Sequence, residues 1–261
     1  MARESGPKDL HGEVVVLSPH LDDGVMSLGA AISKATRSAA RVAVVTVMAG
    51  DPNSRRPITS WDRRSGFSSE ADAAMARREE DRRACELVGA EPVWIPFAYG
   101  EGGGGTSDEK LWSTLAPILS RSDVVLTPGS ALTHPDHAQL TRLVLERMSL
   151  ETTVGLYLEQ PYAVLTKRLW LWPWRPSFPS LVRRMTPISP TWTILAARPR
   201  DRRAKRRAVR EYKSQLPMFG LRPSVASRIA LYEAARGGES VAWLTARLQS
   251  QGKPQLPGSV P

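Results

Sequence analysis

The chain has 261 residues, 41% of them hydrophobic, and a formal net charge of +10. That is enough to bury one good α/β core without a two-domain split. The single cysteine, Cys85, excludes disulfides and cysteine-based metal sites, and no apolar run approaches the roughly 18 residues of a membrane span. The first residues, MARESGPKDLHGE, lack the apolar core of a signal peptide, so the sequence reads as a cytoplasmic protein of a reducing compartment.

Residues 1–12 read as a flexible tail. Val14 to Leu17 is short and β-branched, a buried strand ended by Pro19; from Val25 the apolar spacing becomes helical, Val25, Leu28 and Ile32, and runs to about Thr36. His20, Asp22 and Asp23 thus fall where a strand hands over to a helix, the place where open α/β sheets hold ligands. Taken alone, two aspartates there also fit a helix N-cap. Arg41 to Met48 is a second buried strand leading to Ala49-Gly50-Asp51. The polar stretch 51–69 is a lid or a mobile loop.

A helix follows over 70–88, with Gly89 as its C-cap, and Pro92 to Phe97 should be the third parallel strand. Cys85 is a filler on the helix face. The glycine run 102–105 has no Lys-Ser/Thr after it and is a linker rather than a phosphate loop. Ser107 caps a helix through Ser120 that Pro117 should kink or shorten. Residues 123–128, DVVLTP, repeat the short apolar strand and precede Thr133-His134-Pro135-Asp136-His137. Of the four histidines, at 11, 20, 134 and 137, three fall in loops after predicted strands, which chance does not readily supply.

A helix is expected from Ala138 to about Met148, then a strand from Val154 to Leu158, with Glu159 to Tyr162 at the site's edge. Residues 168–180, RLWLWPWRPSFPS, fit either a packed loop or a hydrophobic rim for a large substrate or lipid surface. Thr191 to Ala197 reads as an edge strand. Arg198 to Arg210 then carries eight basic residues against the single Asp201, most of the net charge. Such a helix is a solvated face or an attractor of an anionic substrate, membrane surface or nucleic acid. No recognition-helix or stacking module accompanies it, so a nucleic-acid partner is not expected. Short helices are expected over 225–249, and residues from 250 form a flexible tail.

The pair PHLDD and HPDH, each behind a strand, resembles the PIG-L/LmbE-type N-acetylglucosaminyl de-N-acetylases, metal-dependent hydrolases. The similarity spans most of residues 13–220 and includes AGD, RREEDRRACELVGA and KRRAVREYKSQ. It implies an α/β fold: a Rossmann-like, mostly parallel sheet flanked by helices, one domain over 13–249, with a metal site at the carboxyl ends of the strands. The activity implied is zinc-dependent removal of an N-acetyl or other N-acyl group from an amino-sugar substrate, which could be a secondary metabolite or glycoconjugate. The rival readings are a catalytically silent scaffold or a basic protein binding an anionic ligand or nucleic acid.

The expected ligands of one Zn²⁺ or other divalent ion are His20, Asp23 and His137. Asp22 is the expected general base, His134 the oxyanion donor and aid to the leaving amine, and Asp136 the group that orients that imidazole. The family places an arginine near the substrate, here Arg77; a surface arginine paired with Glu80 or Asp81 is the alternative. Many relatives carry a sugar-binding aspartate after the third strand, where this chain has Ala98, so Tyr99 or Glu101 is the substitute contact. Gly24 stands where the family commonly has an acidic residue that is not a ligand.

Overall fold

The computed structural model describes residues 7–98, 106–130, 134–149, 152–165, 178–186, 191–220 and 224–244. Its strands are β1 (Glu13–Ser18), β2 (Arg41–Thr46), β3 (Glu91–Trp94), β4 (Val124–Pro128), β5 (Thr153–Tyr157), β6 (Trp192–Ala196) and β7 (Gly238–Leu244). They form one sheet in the order β3-β2-β1-β4-β5-β7-β6. The five strands from β3 to β5 in that order are parallel, whereas β7 runs antiparallel to both β5 and β6. This is the Rossmann-like, mostly parallel sheet that the sequence predicts.

The helices are α1 (Asp23–Arg37), α2 (Ser60–Arg64), α3 (Glu70–Val88), α4 (Asp108–Leu119), α5 (Pro135–Arg147), α6 (Tyr162–Leu165), α7 (Ser180–Met185), α8 (Pro199–Val209) and α9 (Val225–Arg236). Strand alternation splits β1 between two cores. Val14 and Val16 pack with Leu28 of α1, Cys85 of α3, Ala208 of α8 and Ile229 of α9. Val15 and Leu17 pack on the other face with Leu111 of α4 and Leu140 of α5. Burial on both faces is why β1 reads as an unbroken apolar run.

Local chemistry sets several boundaries. Gly89 ends α3 in the left-handed conformation at φ 78°, which costs glycine nothing. Ser107 caps α4 by accepting the Lys110 N–H, and that helix continues past Pro117 to Leu119. His134 caps α5, with Pro135 in the first turn, so the helix starts three residues earlier than its apolar spacing indicates. Proline fits there because its missing N–H has no helical partner to lose. Asp136 and His137 therefore sit on a helix rather than in a loop.

Other expectations change. Residues 51–69 contain α2, capped by Thr59, and bury Asp62 completely. The third strand ends at Trp94, with an isolated bridge from Pro96 to Met48 continuing its line. Of the predicted helices over 225–249 only α9 forms among the described residues; Gly238–Leu244 is a strand buried at every position. Within residues 1–12, Leu10 is buried in the core. Tyr99 and Glu101, most of the Trp- and Pro-rich segment and the stretch from 245 lie outside the described residues. Among the described residues no helix is long and apolar enough to cross a membrane.

Strand order reverses beside β1: β2 and β3 lie to one side, β4 and β5 to the other. The crevice outside the carboxyl ends of β1 and β4 is thus the expected ligand position of such a sheet.

Candidate metal centre

Both histidine-bearing segments converge on that crevice. Beyond β1, the Ser18 hydroxyl donates to His20 O at 2.6 Å and accepts the Gly24 N–H at 2.8 Å, closing the loop on itself. A Cβ at Gly24 would lie 3.2 Å from Ser18 Cβ and 3.3 Å from Val16 Cγ1, so the close approach of α1 to β1 favours glycine here.

Asp22 occupies the N-cap position of α1 at φ 138°, ψ −36°, and its side chain makes no capping hydrogen bond. Backbone strain of this kind costs about 1–3 kcal/mol and concentrates at functional sites. The carboxylate is buried, and burial together with the neighbouring Asp23 pushes its pKa well above the ordinary value, with Arg77 pulling the other way.

His20 Nδ1, Asp23 Oδ2 and His137 Nε2 form a small triangle. The two imidazole nitrogens are 3.2 Å apart, His137 to Asp23 is 3.3 Å, and His20 to Asp23 is 3.4 Å. A tetrahedral ion with bonds of about 2.0–2.1 Å separates its ligand atoms by about 3.3 Å, so the triangle fits one divalent ion with one position left open. A wider group of His20, His134 and His137 has its nitrogens within 4.8 Å of one another. The tighter set matches the coordination distance better and includes an anion.

Both imidazoles of the triangle are held from behind. His20 Nε2 lies 3.0 Å from Asp136 Oδ2, and His137 Nδ1 is hydrogen-bonded to Glu159 just beyond β5. A carboxylate on the far nitrogen fixes the tautomer that turns the other lone pair toward a metal. Electrostatics agree with a cationic occupant. Burial lowers the His137 pKa, but Asp23 and Glu159 hold it up at about 10. Burial raises that of Asp23, yet the two imidazoles leave it far below the carboxylate range.

Asp136 was expected to orient His134. Its carboxylate is nearer His20, at 3.0 Å, than His134 Nδ1, at 3.5 Å. The His134 contact is instead the helix cap, in which the Asp136 N–H donates to His134 Nδ1 at 3.3 Å. With Nδ1 accepting, a neutral His134 carries its proton on Nε2 and is a donor there. Its pKa is lowered, by burial and then by His20, which favours the neutral ring. Glu159 was expected only at the site's edge; no local pattern marks it as the partner of a histidine 22 residues away.

Arg77 is buried, not a surface residue. It is ion-paired with Asp62 of α2, has Ser65 Oγ at 3.4 Å, and its guanidinium lies 5.3 Å from the centre of the Phe67 ring. Glu80 and Asp81 are engaged elsewhere: Glu80 by Ser214, Asp81 by Trp94 and Tyr212. The insertion 51–69 therefore braces Arg77, and Arg77 in turn exerts its field on Asp22.

A family model described as GlcNAc-PI de-N-acetylase matches residues 15–148. No curated protein matches the chain. Among solved structures, a triple mutant of a deacetylase of the teicoplanin biosynthetic pathway superposes with a TM-score of 0.72 at 23% identity, covering 88% of this chain and 96% of the other. The zinc-inhibited form of teicoplanin deacetylase gives 0.69 at 23% identity, covering 88% and 97%. N,N'-diacetylchitobiose deacetylase from Pyrococcus horikoshii, complexed with its inhibitor, gives 0.60 at 17% identity, covering 95% and 87%. At such identities these likenesses establish the fold, and the family rests on the model that matches half of the sequence. The chain belongs to the PIG-L, or GlcNAc-PI de-N-acetylase, family.

Proposed function

We propose that the protein is a metal-dependent N-deacetylase acting on an acetylated amino sugar, within one catalytic domain spanning 13–249. The observation that carries this reading is the triangle of His20, Asp23 and His137, backed by Asp136 and Glu159. A divalent ion held there, zinc being the first candidate, supplies Lewis acidity to the amide carbonyl and lowers the pKa of the attacking water to about 7.

The chain's own groups do the rest. Asp22, adjacent to the triangle but not part of it, takes the proton of the water as general base. Its lack of a capping bond leaves the carboxylate available for that task. His134, neutral with its proton on Nε2, donates to the oxyanion and assists the leaving amine. Asp136 orients His20, Glu159 orients His137, and Arg77 positions a polar group of the substrate. Tyr99 and Glu101 remain the proposed sugar contacts.

The named activities of the structural neighbours, on teicoplanin and on a diacetylated chitobiose, favour a sugar carried by a secondary metabolite or a short glycoconjugate. Elemental analysis of the purified protein, joined to an amine-release screen over N-acetylated sugars and glycoconjugates, tests the reading. About one divalent ion per chain and hydrolysis that stops on chelation are expected. Full turnover in metal-free protein would contradict it.

A further inference from the structure

Helix α8 buries Asp201, Lys205, Ala208 and Val209 on its inner side. At 100° per residue, Arg200, Arg203, Arg206, Arg207 and Arg210 fall within an arc of about 120° on the outer side, over about 15 Å of axis. All five are exposed. Their spacing puts like charges at i+3 and i+4, which costs helix stability.

Elsewhere the fold compensates such charges: Arg82 and Arg83 of α3 pair with Glu79, and Arg142 and Arg147 of α5 with Glu146 and Glu109. On α8 it does not. The helix's one acidic residue, Asp201, is taken by Arg37 and the Arg198 N–H, and Lys205 is neutralised internally by Glu239, with Glu233 hydrogen-bonded to the same ammonium. None of the five outer guanidinium groups forms an ion pair or hydrogen bond with any described residue. The crowding extends past the helix start, where the fields of Arg200 and Arg198 add to burial in lowering the pKa of Arg37.

We infer that this arginine face docks the protein on an anionic lipid surface. A row of guanidinium groups on one convex helix meets a planar array of phosphates together, each able to bind an oxygen pair. The α8 helix has its inner side packed on α1 and α3 and offers no aromatic side chain for base stacking. Its neighbour α9 exposes Leu231, one of two large apolar side chains left exposed among the described residues. An exposed apolar side chain on a helix that packs against the basic one suits the boundary between headgroups and acyl chains. Five residues beyond Arg210, the Gln215 amide donates to Leu21 O, next to Asp22, so the docked helix is joined directly to the candidate metal centre.

The test is co-sedimentation of the full chain with vesicles of phosphatidylcholine alone and of phosphatidylcholine mixed with phosphatidylglycerol, at low and at physiological salt. Binding is expected only to the mixed vesicles and should weaken with salt. Each basic residue near an anionic bilayer strengthens binding roughly fivefold, so combining Arg203→Ser, Arg206→Ser and Arg207→Ser should loosen it roughly a hundredfold without changing the melting temperature by more than a few degrees. If that variant is poorly folded, Arg200→Ser with Arg210→Ser serves in its place. Equal binding of wild type to both vesicle types, or no weakening in a folded variant, overturns the inference. Duplex DNA bound more tightly than mixed vesicles, through the same arginines, would reassign the face to nucleic acid and overturn it too. The readout is binding, so a failure to find hydrolysis would count only against the proposed activity.

Discussion

Lys205 and Glu239 form a buried ion pair that reaches into the middle of α1. Glu239 accepts the N–H groups of Ala30 at 2.9 Å and Ala31 at 2.7 Å, while the Lys205 ammonium lies 3.2 Å from Ser27 O. In a regular helix that carbonyl would take the Ala31 N–H. The front of α1, which carries Asp23, is thus fixed by two side chains from α8 and β7. Ser27 extends the connection, its hydroxyl accepting the Gln160 N–H beside Glu159.

Removing one member should be costly, since it strands a buried charge. Glu239→Gln is expected to lower stability by about 3–5 kcal/mol, measured by denaturant unfolding. Gly29→Ala makes a second check. Glycine to alanine within a helix ordinarily gains about 1 kcal/mol, but here the new Cβ would lie 2.9 Å from Lys205 Cγ. A loss is expected in place of the gain; a stabilised variant would show that the pair does not constrain α1.

Glu233 gives the same cluster a pH signature. Burial, with Glu239 adding to it, raises the Glu233 pKa from 4.5 to about 8 despite the nearby Lys205 and Arg202. Between those values the folded protein holds a proton that the unfolded chain has released. Its contribution to stability is full below pH 4.5 and is lost as the pH rises through about 8. Glu233→Gln should flatten this decline in melting temperature between pH 5 and 8; parallel profiles for wild type and variant would contradict it.

Arg77 and Asp62 can be separated by what they leave behind. Arg77→Ala strands the fully buried Asp62 carboxylate and should cost about 3–5 kcal/mol in addition to lowering kcat/KM. Combining Arg77→Ala with Asp62→Asn should recover much of the stability but not the rate. Recovery of both would make Arg77 a structural residue alone.

Glu159 is expected to act through His137. Glu159→Gln keeps the size of the side chain but weakens its hold on the imidazole, and loss of such a partner typically lowers metal affinity 10- to 100-fold. Zinc competition with a chelating dye measures this. An unchanged affinity would remove Glu159 from the site.

Much of the site was legible as residue types. His20, Asp22 and Asp23 behind β1, and His134 and His137 behind β4, mark themselves by lying just after apolar strands. Their supports do not, because Asp136 meets His20 across 116 residues of sequence. Arg77 was misleading for a related reason: Glu80 and Asp81 stand at helical spacing from it, yet its partner comes from the distant α2. In the fold, β7 escaped notice because a strand buried at every position shows no alternation, and it follows α9 after a single turn glycine. The α5 start was hidden by the proline that opens it.

The most direct test of the central claim compares neighbours with the same side chain. Asp22→Asn and Asp23→Asn are assayed side by side for zinc affinity and for amine release on an accepted substrate. Asp23→Asn should lose metal, having lost the anionic corner of the triangle. Asp22→Asn should keep metal at wild-type affinity and lose about 10²- to 10⁴-fold in rate, as expected for a missing general base. Release of metal by Asp22→Asn with retention by Asp23→Asn would exchange the two roles. Full metal occupancy and near-normal turnover in both variants would contradict the account of the site.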